Sequence, residues 1–402
     1  MKYLPKQLAG LGVVILGLIA IGSVSAYQCD CEQAFQNCAV PITTLNGQGF
    51  SVSGVSGGLS LDDPRTFRQA EEVTDPALLF HNAGTHNDAV AILVIDDFGQ
   101  TGSYKIPETV YALHDQTQLE DAYRDGTLSH GALVFNHFNA LLKGALDDAG
   151  FDPYPNEESV EWSDGSARIG VFVVDALDYA APVPTNDVAT TTANVIRDLR
   201  GNGYSHFVLN MSFAVLPCSI ANGYADYAGP QLSFEAYAAQ VSAATGLSYA
   251  QLITPAESLL YPDPLHVLLV QCDDSNKTPH TFRQSAMQAE PIPVEPPDGV
   301  RRVWGVIDSP CETEQQRVDY VGSAGNSGLP YPFFPAAWNP VTSVSADDAD
   351  GNLSFYSNYN ADSSRPGGWF VLTDEDGNTI FYRGTSFSGP VQAVCMALDI
   401  YC

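Results

Sequence analysis

Three runs of consecutive apolar residues, separated by segments with helical spacing, limit the folds open to this chain. The runs cover residues 89–95, 169–174 and 207–211. A strand that is buried on both faces is apolar along its length, as in a parallel sheet. Residues 131–146 and 191–199 have helical spacing, and Gly201 is expected to end the second helix. This alternation predicts a doubly wound α/β domain with a mostly parallel sheet and helices on both faces.

Composition agrees with a folded domain and argues against two classes of partner. Of 402 residues, 45% are hydrophobic and 16% are charged, which is typical of a globular protein. Lys and Arg total 17 against 47 Asp and Glu, so the formal net charge is −30. Such a surface repels nucleic acid and anionic membranes, and we expect neither as a partner.

The first residues have the pattern of an export signal. Lys2 and Lys6 precede an uncharged, mostly apolar stretch at residues 8–21, and the small residues at 24–26 suit a signal peptidase. A membrane-spanning helix needs roughly 20 apolar residues, and this stretch is shorter. We therefore expect a signal peptide over residues 1–26, cleavage after Ala26, secretion, and no stable membrane anchor.

The cysteines all follow the predicted cleavage site. They stand at positions 29, 31, 38, 218, 272, 311, 395 and 402. An even number of cysteines in an exported chain favours disulfide bonds. Residues 27–87 show no strong periodicity, and we expect an N-terminal extension or short propeptide there. The main domain is expected at 88–402, with a disulfide-containing insertion at about 217–317 where regularity weakens.

Local patterns predict the remaining elements. Within the insertion we expect a helix at residues 234–244 and a strand at 266–270. After it, apolar runs predict strands at 318–323, 341–345, 369–372 and 380–382. A last helix is expected from Ser386 onward.

Gly-Thr-Ser-Phe-Ser-Gly-Pro at residues 384–390 is the strongest chemical signal in the chain. It places Ser386 at the start of an apolar helix, where free backbone N–H groups can stabilise an oxyanion. The alternative is an ordinary helix cap. A serine nucleophile needs a base, and no histidine follows Ser386 in this sequence. That order excludes the α/β-hydrolase arrangement, in which the histidine comes last.

His130 is the candidate base among the eight histidines. Gly131 follows it and lets another segment approach the imidazole closely, whereas His137 is expected to be a packing or surface residue. The acid should end a buried strand, because ligand sites of open α/β sheets gather at the carboxyl ends of the strands. Asp96 directly continues the first apolar run and is favoured over Asp97, which remains the alternative.

Together these segments resemble the subtilases, the family of subtilisin-like serine peptidases. The serine motif is met in full, which implies that Ser386 is the nucleophile. His-Gly-Ala-Leu-Val at residues 130–134 matches the histidine motif except at Ala132, and the acid motif is looser after Asp96. Gly-Asn-Ser-Gly at 325–328 resembles the family's oxyanion loop. The resemblance implies that Asn326 donates to the oxyanion, and a turn asparagine is the alternative.

Asn-Met-Ser-Phe-Ala at residues 210–214 is similar to the family's Asn-Met-Ser-Leu-Gly strand. The resemblance implies that Ser212, Phe213 and Ala214 pair with the substrate backbone. It also implies that they line a specificity pocket, together with Gly325. Ala214 stands where the family has glycine, and we expect it to narrow that pocket.

The resemblance implies a secreted serine endopeptidase that acts as a monomer on protein or peptide substrates and requires no cofactor. No metal ligand is assigned. A structural calcium ion, common in the family, stays open at the acidic stretches 347–352 and 374–378, where a hairpin turn is the alternative.

The chain also departs from the family pattern. The interval between Ser212 and Asn326 is long, and the sequence ends one predicted helix after Ser386. We therefore keep two alternative functions: a catalytically inactive binding module with the subtilase fold, and a secreted serine esterase. Disulfides through Cys395 and Cys402, with partners left open, are expected to hold the short C-terminal end.

Overall fold

The computed structural model describes residues 29, 36–40, 53–54, 74–80, 89–98, 130–146, 151–155, 159–165, 167–178, 182–227, 234–256, 262–271, 317–368, 370–373 and 379–400. The predicted signal peptide lies outside these residues. So do the acidic stretch at 374–378 and four of the cysteines, Cys31, Cys272, Cys311 and Cys402.

The described residues form strands and helices that follow one another along the chain. The strands are β1 (Asn37–Val40), β2 (Ser53–Gly54), β3 (Ala89–Asp96), β4 (Asp152–Pro155), β5 (Ser159–Ser163), β6 (Arg168–Asp175), β7 (Val183–Pro184), β8 (His206–Met211), β9 (Ala214–Pro217), β10 (Arg317–Ser323), β11 (Thr342–Asp347), β12 (Ser363–Pro366), β13 (Phe370–Thr373) and β14 (Thr379–Tyr382). The α-helices are α1 (His130–Leu146), α2 (Thr185–Gly201), α3 (Cys218–Tyr227), α4 (Phe234–Thr245), α5 (Tyr249–Ile253), α6 (Pro264–Gln271) and α7 (Thr385–Leu398).

An eight-stranded sheet is the centre of the fold, in the order β12-β11-β10-β8-β3-β6-β5-β4. The strands from β12 to β6 run parallel, and β5 and β4 extend the sheet antiparallel. The predicted α/β class with a mostly parallel sheet is therefore confirmed. It agrees with the subtilisin-like fold that the resemblance implies.

Alternate side chains of β3 face two different hydrophobic cores. Ile92 and Val94 pack in the core that α1 and α7 share, whereas Leu93 and Ile95 pack in the core built with α2. Helices therefore cover both faces of the sheet, which explains the uninterrupted apolar run in the sequence. Asp96 continues the series that faces α1, because side chains alternate along a strand.

Two predicted elements need correction. The helix predicted at 191–199 is α2, which starts earlier and includes Gly201. The strand predicted at 266–270 is wrong, because these residues belong to α6. Asp263 Oδ1 accepts hydrogen bonds from the backbone N–H groups of Leu265 and His266, which starts the helix. A short apolar run does not by itself distinguish a strand from a buried helix.

Two smaller antiparallel sheets accompany the main sheet, in the orders β7-β1-β9 and β13-β14-β2. The first one joins part of the predicted N-terminal extension to the main domain. Cys29 and Cys38 at this end form a disulfide. Cys218 and Cys395 are disulfide-bonded as well, so the predicted use of the cysteines agrees with these four residues. A disulfide through Cys402, which lies outside the described residues, stays a prediction.

The first half of the predicted insertion is helical. The helices α3 to α6 lie between residues 218 and 271. A third hydrophobic cluster joins α3, α4 and α5 to β1 and β9, whereas α6 packs in the core on the α2 side. Residues 272–316 are not described. Within the described part of the chain, none of the helices is long and apolar enough to cross a bilayer.

Candidate active site

Asp96 and His130 meet at the carboxyl end of β3. His130 is the first residue of α1, and its Nδ1 lies 2.8 Å from Asp96 Oδ2. Both residues are buried, with exposed fractions of 0% for Asp96 and 7% for His130. A carboxylate only accepts, so Nδ1–H is the donor, and in the neutral form of the imidazole the other ring nitrogen, Nε2, carries no proton. The pair has the arrangement that orients an imidazole to act as a base.

Gly131 and Asp97 bring the two segments close together. The Gly131 N–H donates to the Asp97 carbonyl oxygen at 3.1 Å. A Cβ atom at Gly131 would lie 2.6 Å from that oxygen and 2.9 Å from the Asp96 Cβ. Only glycine allows this approach, as the sequence indicated. Asp97 thus contributes its backbone here, and Asp96 is the carboxylate at His130 Nδ1.

Ser386 is the second residue of α7, next to a strained turn. Gly384 precedes the helix with φ of 143°, a conformation that strongly favours glycine. The first backbone N–H groups of a helix have no helical partner, and they make its N-terminus a favourable place for negative charge. Ser386 therefore lies where an oxyanion formed on its own substrate would be stabilised.

His130 and Ser386 lie near each other in the fold, but no hydrogen bond joins the two residues. The ring centroids of His130 and Phe387 are 6.1 Å apart, and Phe387 directly follows Ser386. Among the described residues, none forms a hydrogen bond with the Ser386 hydroxyl. Catalytic hydrogen bonds are often long in the absence of substrate and tighten in the complex. The arrangement brings the His130 imidazole and Ser386 near each other, without a hydrogen bond between them.

Asn326 is fixed by the first residue of α7. Its Oδ1 accepts from the Thr385 backbone N–H at 2.9 Å and from Thr385 Oγ1 at 3.0 Å. A backbone N–H can only donate, so the atom that faces it must be the amide oxygen. The amide nitrogen, Nδ2, has no partner among the described residues. Asn326 is thus held by a segment that is distant in sequence rather than by a local turn. Its Nδ2 group can still donate a hydrogen bond.

A chain of hydroxyl groups connects β8, β10 and the start of α7. Asn210 Nδ2 donates to Ser212 Oγ at 3.2 Å. Ser212 Oγ and Ser323 Oγ are 3.2 Å apart, and Ser323 Oγ donates to the Thr385 carbonyl oxygen at 3.0 Å. These contacts lock the three segments that surround Ser386.

A cleft lies beside Ser386. Its lining consists of Ser212, Phe213, Ala214, Ser323, Gly325, Asn326, Phe333, Thr385 and Ser386. Every residue that the resemblance assigned to substrate binding or to the oxyanion is in this set. Phe333 also lines the cleft and was not predicted, because no local motif distinguishes it from an ordinary core aromatic residue.

His137 lies on the same helix as His130 but is fully buried. Its Nδ1 is 2.8 Å from Tyr382 Oη, and its Nε2 is 3.1 Å from the Phe387 carbonyl oxygen. The carbonyl only accepts, so Nε2 carries the proton and the tyrosine donates to Nδ1. Burial lowers the pKa of His137 to about 3, although the bond to the Phe387 carbonyl opposes this shift. The packing role expected for His137 is confirmed, and sequence reasoning missed its contact with the residue after Ser386.

Two groups of residues carry side chains of the kind that bind metal ions. In the acidic stretch 347–352, Asp348 Oδ1 accepts from the N–H groups of Asp350 and Asn352 and closes a turn. A turn is the alternative to a calcium site that the sequence left open for this stretch. Cys29, Cys38 and Cys218 lie close enough together to share an ion, but all three are disulfide-bonded and so offer no thiolate.

Comparison with known proteins gives distant matches only. No profile of a known protein family matches the sequence. The chain is similar to the prenylagaramide maturation protease PagA, with 15% identity, a TM-score of 0.35, and coverage of 79% of this chain and 76% of that one. It is also similar to the self-cleaved protease domain of PatA, with 17% identity, a TM-score of 0.35, and coverage of 79% of this chain and 80% of that one. A third match is the epidermin leader peptide processing serine protease EpiP of Staphylococcus aureus. It has 13% identity, a TM-score of 0.29, and coverage of 58% of this chain and 48% of that one.

These matches are proteases by name, and their low identities and TM-scores add no detail about the site. The fold class of this chain follows from its own sheet, which is mostly parallel and covered by helices. Asp96, His130 and Ser386 follow one another along the chain in the order that the resemblance to subtilisin-like enzymes implies.

Proposed function

We propose that this chain is a subtilisin-like serine endopeptidase, with Asp96, His130 and Ser386 as its catalytic triad. The observation that carries the proposal is the buried hydrogen bond of 2.8 Å between Asp96 and His130, at the sheet edge where α7 presents Ser386. A buried imidazole paired with a carboxylate is held in one tautomer and can accept a proton. A nearby serine at a helix N-terminus supplies the matching nucleophile.

The proposed reaction has two halves. His130 Nε2 takes the proton of the Ser386 hydroxyl while the serine oxygen attacks the carbonyl carbon of the peptide bond. His130 then gives that proton to the leaving amine, and an acyl-enzyme remains. Water repeats the sequence, with His130 again accepting and returning the proton, and releases the acid product. Asp96 stays ionised and stabilises the imidazolium in both halves.

The negative oxygen of the tetrahedral intermediate needs donors that are already in place. We assign this role to the Asn326 Nδ2 group and the Ser386 backbone N–H. The two hydrogen bonds from Thr385 hold the Asn326 amide still, so no reorganisation is required when charge develops. Fixed donors of this kind stabilise a transition state more than mobile water does.

One observation favours a second candidate, the inactive binding module. Within the described residues the Ser386 hydroxyl has no hydrogen bond, and Ser386 is only 7% exposed. If Ser386 never forms a hydrogen bond with His130, the fold could still bind a peptide but could not cleave it. The two candidates differ in one measurable property, the reactivity of Ser386.

Labelling with a fluorophosphonate reagent tests the proposal. We expect labelling of the folded protein at Ser386, located by peptide mass spectrometry, and none in Ser386→Ala. Ser388→Ala is the matched control, because Ser388 is a fully buried serine of the same motif and should leave labelling intact. A folded wild-type protein that never reacts would reject the peptidase and favour the binding module. Hydrolysis of an ester without any hydrolysis of the matching peptide would favour the esterase.

We further propose export with cleavage after Ala26, which N-terminal sequencing of the secreted protein would test. The proposed chemistry uses only side chains and backbone groups of the chain and requires no cofactor. A chelator should therefore leave kcat unchanged. A rise in melting temperature on adding Ca²⁺ would instead indicate a structural calcium ion.

A further inference from the structure

One buried side chain, that of Asn358, holds the loop of residues 324–329, which we call the oxyanion loop. Asn358 Oδ1 accepts from the backbone N–H groups of Ser327 at 2.9 Å and of Leu329 at 3.1 Å. Its Nδ2 donates to the Ala324 carbonyl oxygen at 3.0 Å. The N–H groups only donate and the carbonyl only accepts, so the orientation of this amide is fixed by its partners. The oxyanion loop therefore wraps around the Asn358 carboxamide.

The peptide groups on both sides of Asn326 are held by this one residue. The Asn358 backbone N–H donates at 2.8 Å to the Gly325 carbonyl oxygen, which belongs to the peptide group before Asn326. The Ser327 N–H belongs to the peptide group after it and donates to Asn358 Oδ1. Two fixed peptide planes leave the backbone of the residue between them little freedom to rotate. Thr385 holds the side chain of Asn326, so the direction of Nδ2 is set from both ends.

Asn358 is itself anchored to the central sheet. Its carbonyl oxygen accepts from Ser345 Oγ at 2.6 Å, and Ser345 belongs to β11. Ser357 Oγ donates to the same oxygen at 2.9 Å and accepts from the N–H of Ala346, also in β11, at 2.8 Å. All four residues are buried. The oxyanion loop is therefore connected through Asn358 to a strand of the main sheet.

We infer that Asn358 is a positioning residue for the oxyanion donor Asn326. This inference rests on the proposed function and adds a residue that lies outside the sequence motifs. A donor stabilises a transition state best when it is already in place and needs no reorganisation as charge develops. Asn358 is fully buried and is not among the residues that line the cleft, so its effect on the reaction passes through Asn326. Its removal can therefore cost no more than the factor of about 10²–10³ expected for loss of the donor itself.

The substitution Asn358→Ala tests the inference in the full-length chain, with the best substrate from a set of tetrapeptide p-nitroanilides. We expect kcat to fall about 10- to 10²-fold with KM changed less than about twofold, because the donor is misplaced while substrate binding is kept. The rate at which a fluorophosphonate labels Ser386 should fall as well, since its phosphoryl oxygen needs the same donors.

Asn360→Gly is the matched control from the same segment. Asn360 is exposed, and its Nδ2 donates to the Pro330 carbonyl oxygen just beyond the oxyanion loop. Glycine tolerates the positive φ of 62° at this position. Both the labelling rate and kcat should therefore stay at the wild-type values.

A double-mutant cycle with Asn326→Ala distinguishes positioning from a general structural role. If Asn358 acts through Asn326, adding Asn358→Ala to Asn326→Ala should lower the labelling rate and kcat by less than about twofold further. Losses that multiply in the double variant would overturn the inference. So would a folded Asn358→Ala protein with the labelling rate and kcat of the wild type.

Asn358→Asp covers the case in which Asn358→Ala does not fold. It keeps the size of the side chain and the oxygen that accepts the two N–H groups, but an ionised carboxylate cannot donate to the Ala324 carbonyl. We expect a loss of at least about fivefold in the labelling rate and kcat, and the same cycle should remove that loss in the Asn326→Ala background. Independent losses, or none, would contradict the positioning role and leave the peptidase intact. A folded wild-type protein that never labels at Ser386 would overturn the proposed function as well.

Discussion

Two histidines on one helix have different kinds of partner in this structure. His130 opens α1 and pairs with the carboxylate of Asp96, whereas His137 lies about two turns further on and pairs with a phenol and a carbonyl group. Both are buried. The carboxylate can stabilise an imidazolium at His130. No such partner contacts the ring of His137 among its hydrogen bonds, so desolvation keeps it neutral.

The comparison shows that the partner, rather than burial or the helix, decides what a histidine can do. His130 has one nitrogen held by the Asp96 carboxylate, and in the proposed mechanism the other accepts the proton of Ser386. Both nitrogens of His137 are used within the fold, where they connect α1 to Tyr382 and to the first turn of α7. One histidine is placed to move a proton and the other to hold the helix that carries Ser386.

The largest effect is expected from removing His130. His130→Ala should lower kcat/KM by about 10⁴- to 10⁶-fold, because the serine loses its base. His137→Gln should cost at most about 10²-fold, the loss that a small misplacement of catalytic groups can cause. Peptide hydrolysis and circular dichroism of both variants would check this. Equal losses in two folded variants would remove the distinction between the histidines.

The second prediction concerns the acid. Asp96→Asn should lower kcat by about 10⁴-fold, since the imidazole loses both its orientation and the charge that stabilises its cation. Asp97→Asn should retain most of the activity, because Asp97 contacts α1 through its backbone carbonyl. The kinetic constants of the two variants are to be compared. The reverse order of activities would transfer the acid role to Asp97.

A smaller effect is expected at the oxyanion donor. Asn326→Ala should lower kcat by about 10²- to 10³-fold with little change in KM. Asn186→Ala, an exposed asparagine on α2, serves as the control and should be silent. A change confined to KM in Asn326→Ala would mean that the side chain binds the ground state and not the transition state.

The smallest effect is a change of stability with pH. The pKa of His137 is about 3 in the folded protein and 6.5 when unperturbed, so the unfolded chain binds a proton more readily between these values. Stability from this residue is complete above about pH 6.5 and is lost as the pH falls towards 3. Between pH 5 and pH 4 the free energy of unfolding should fall by about 1.4 kcal/mol from this group alone.

The matched variant isolates that contribution from the many carboxylates. Urea unfolding at several pH values should give a shallower acid slope for His137→Gln than for the wild type. Identical slopes would mean that His137 is protonated in the folded protein as easily as in the unfolded one.

The sequence contained much of this site, because its chemistry is carried by local motifs. Buried parallel strands are uniformly apolar, so β3 and the residue that ends it could be recognised directly. Gly131 and Gly384 indicated where segments approach or turn. The contact between His137 and Phe387 could not be predicted, since the two residues are 250 positions apart along the chain.

The errors and omissions also have physical causes. The helix α6 was predicted as a strand because its apolar run is too short to show helical spacing, although Asp263 and Pro264 form a start signal for a helix. The strand β1 has no strong pattern of its own. Its structure depends on pairing with β7 and β9, which are far away in sequence.

The rate at which Ser386 reacts with a fluorophosphonate tests the central claim most directly, when wild type, His130→Ala and His137→Gln are measured side by side. The Asp96–His130 pair activates the serine in this account, so the rate should collapse in His130→Ala and persist in His137→Gln. A folded His130→Ala protein that labels as fast as the wild type would contradict the account.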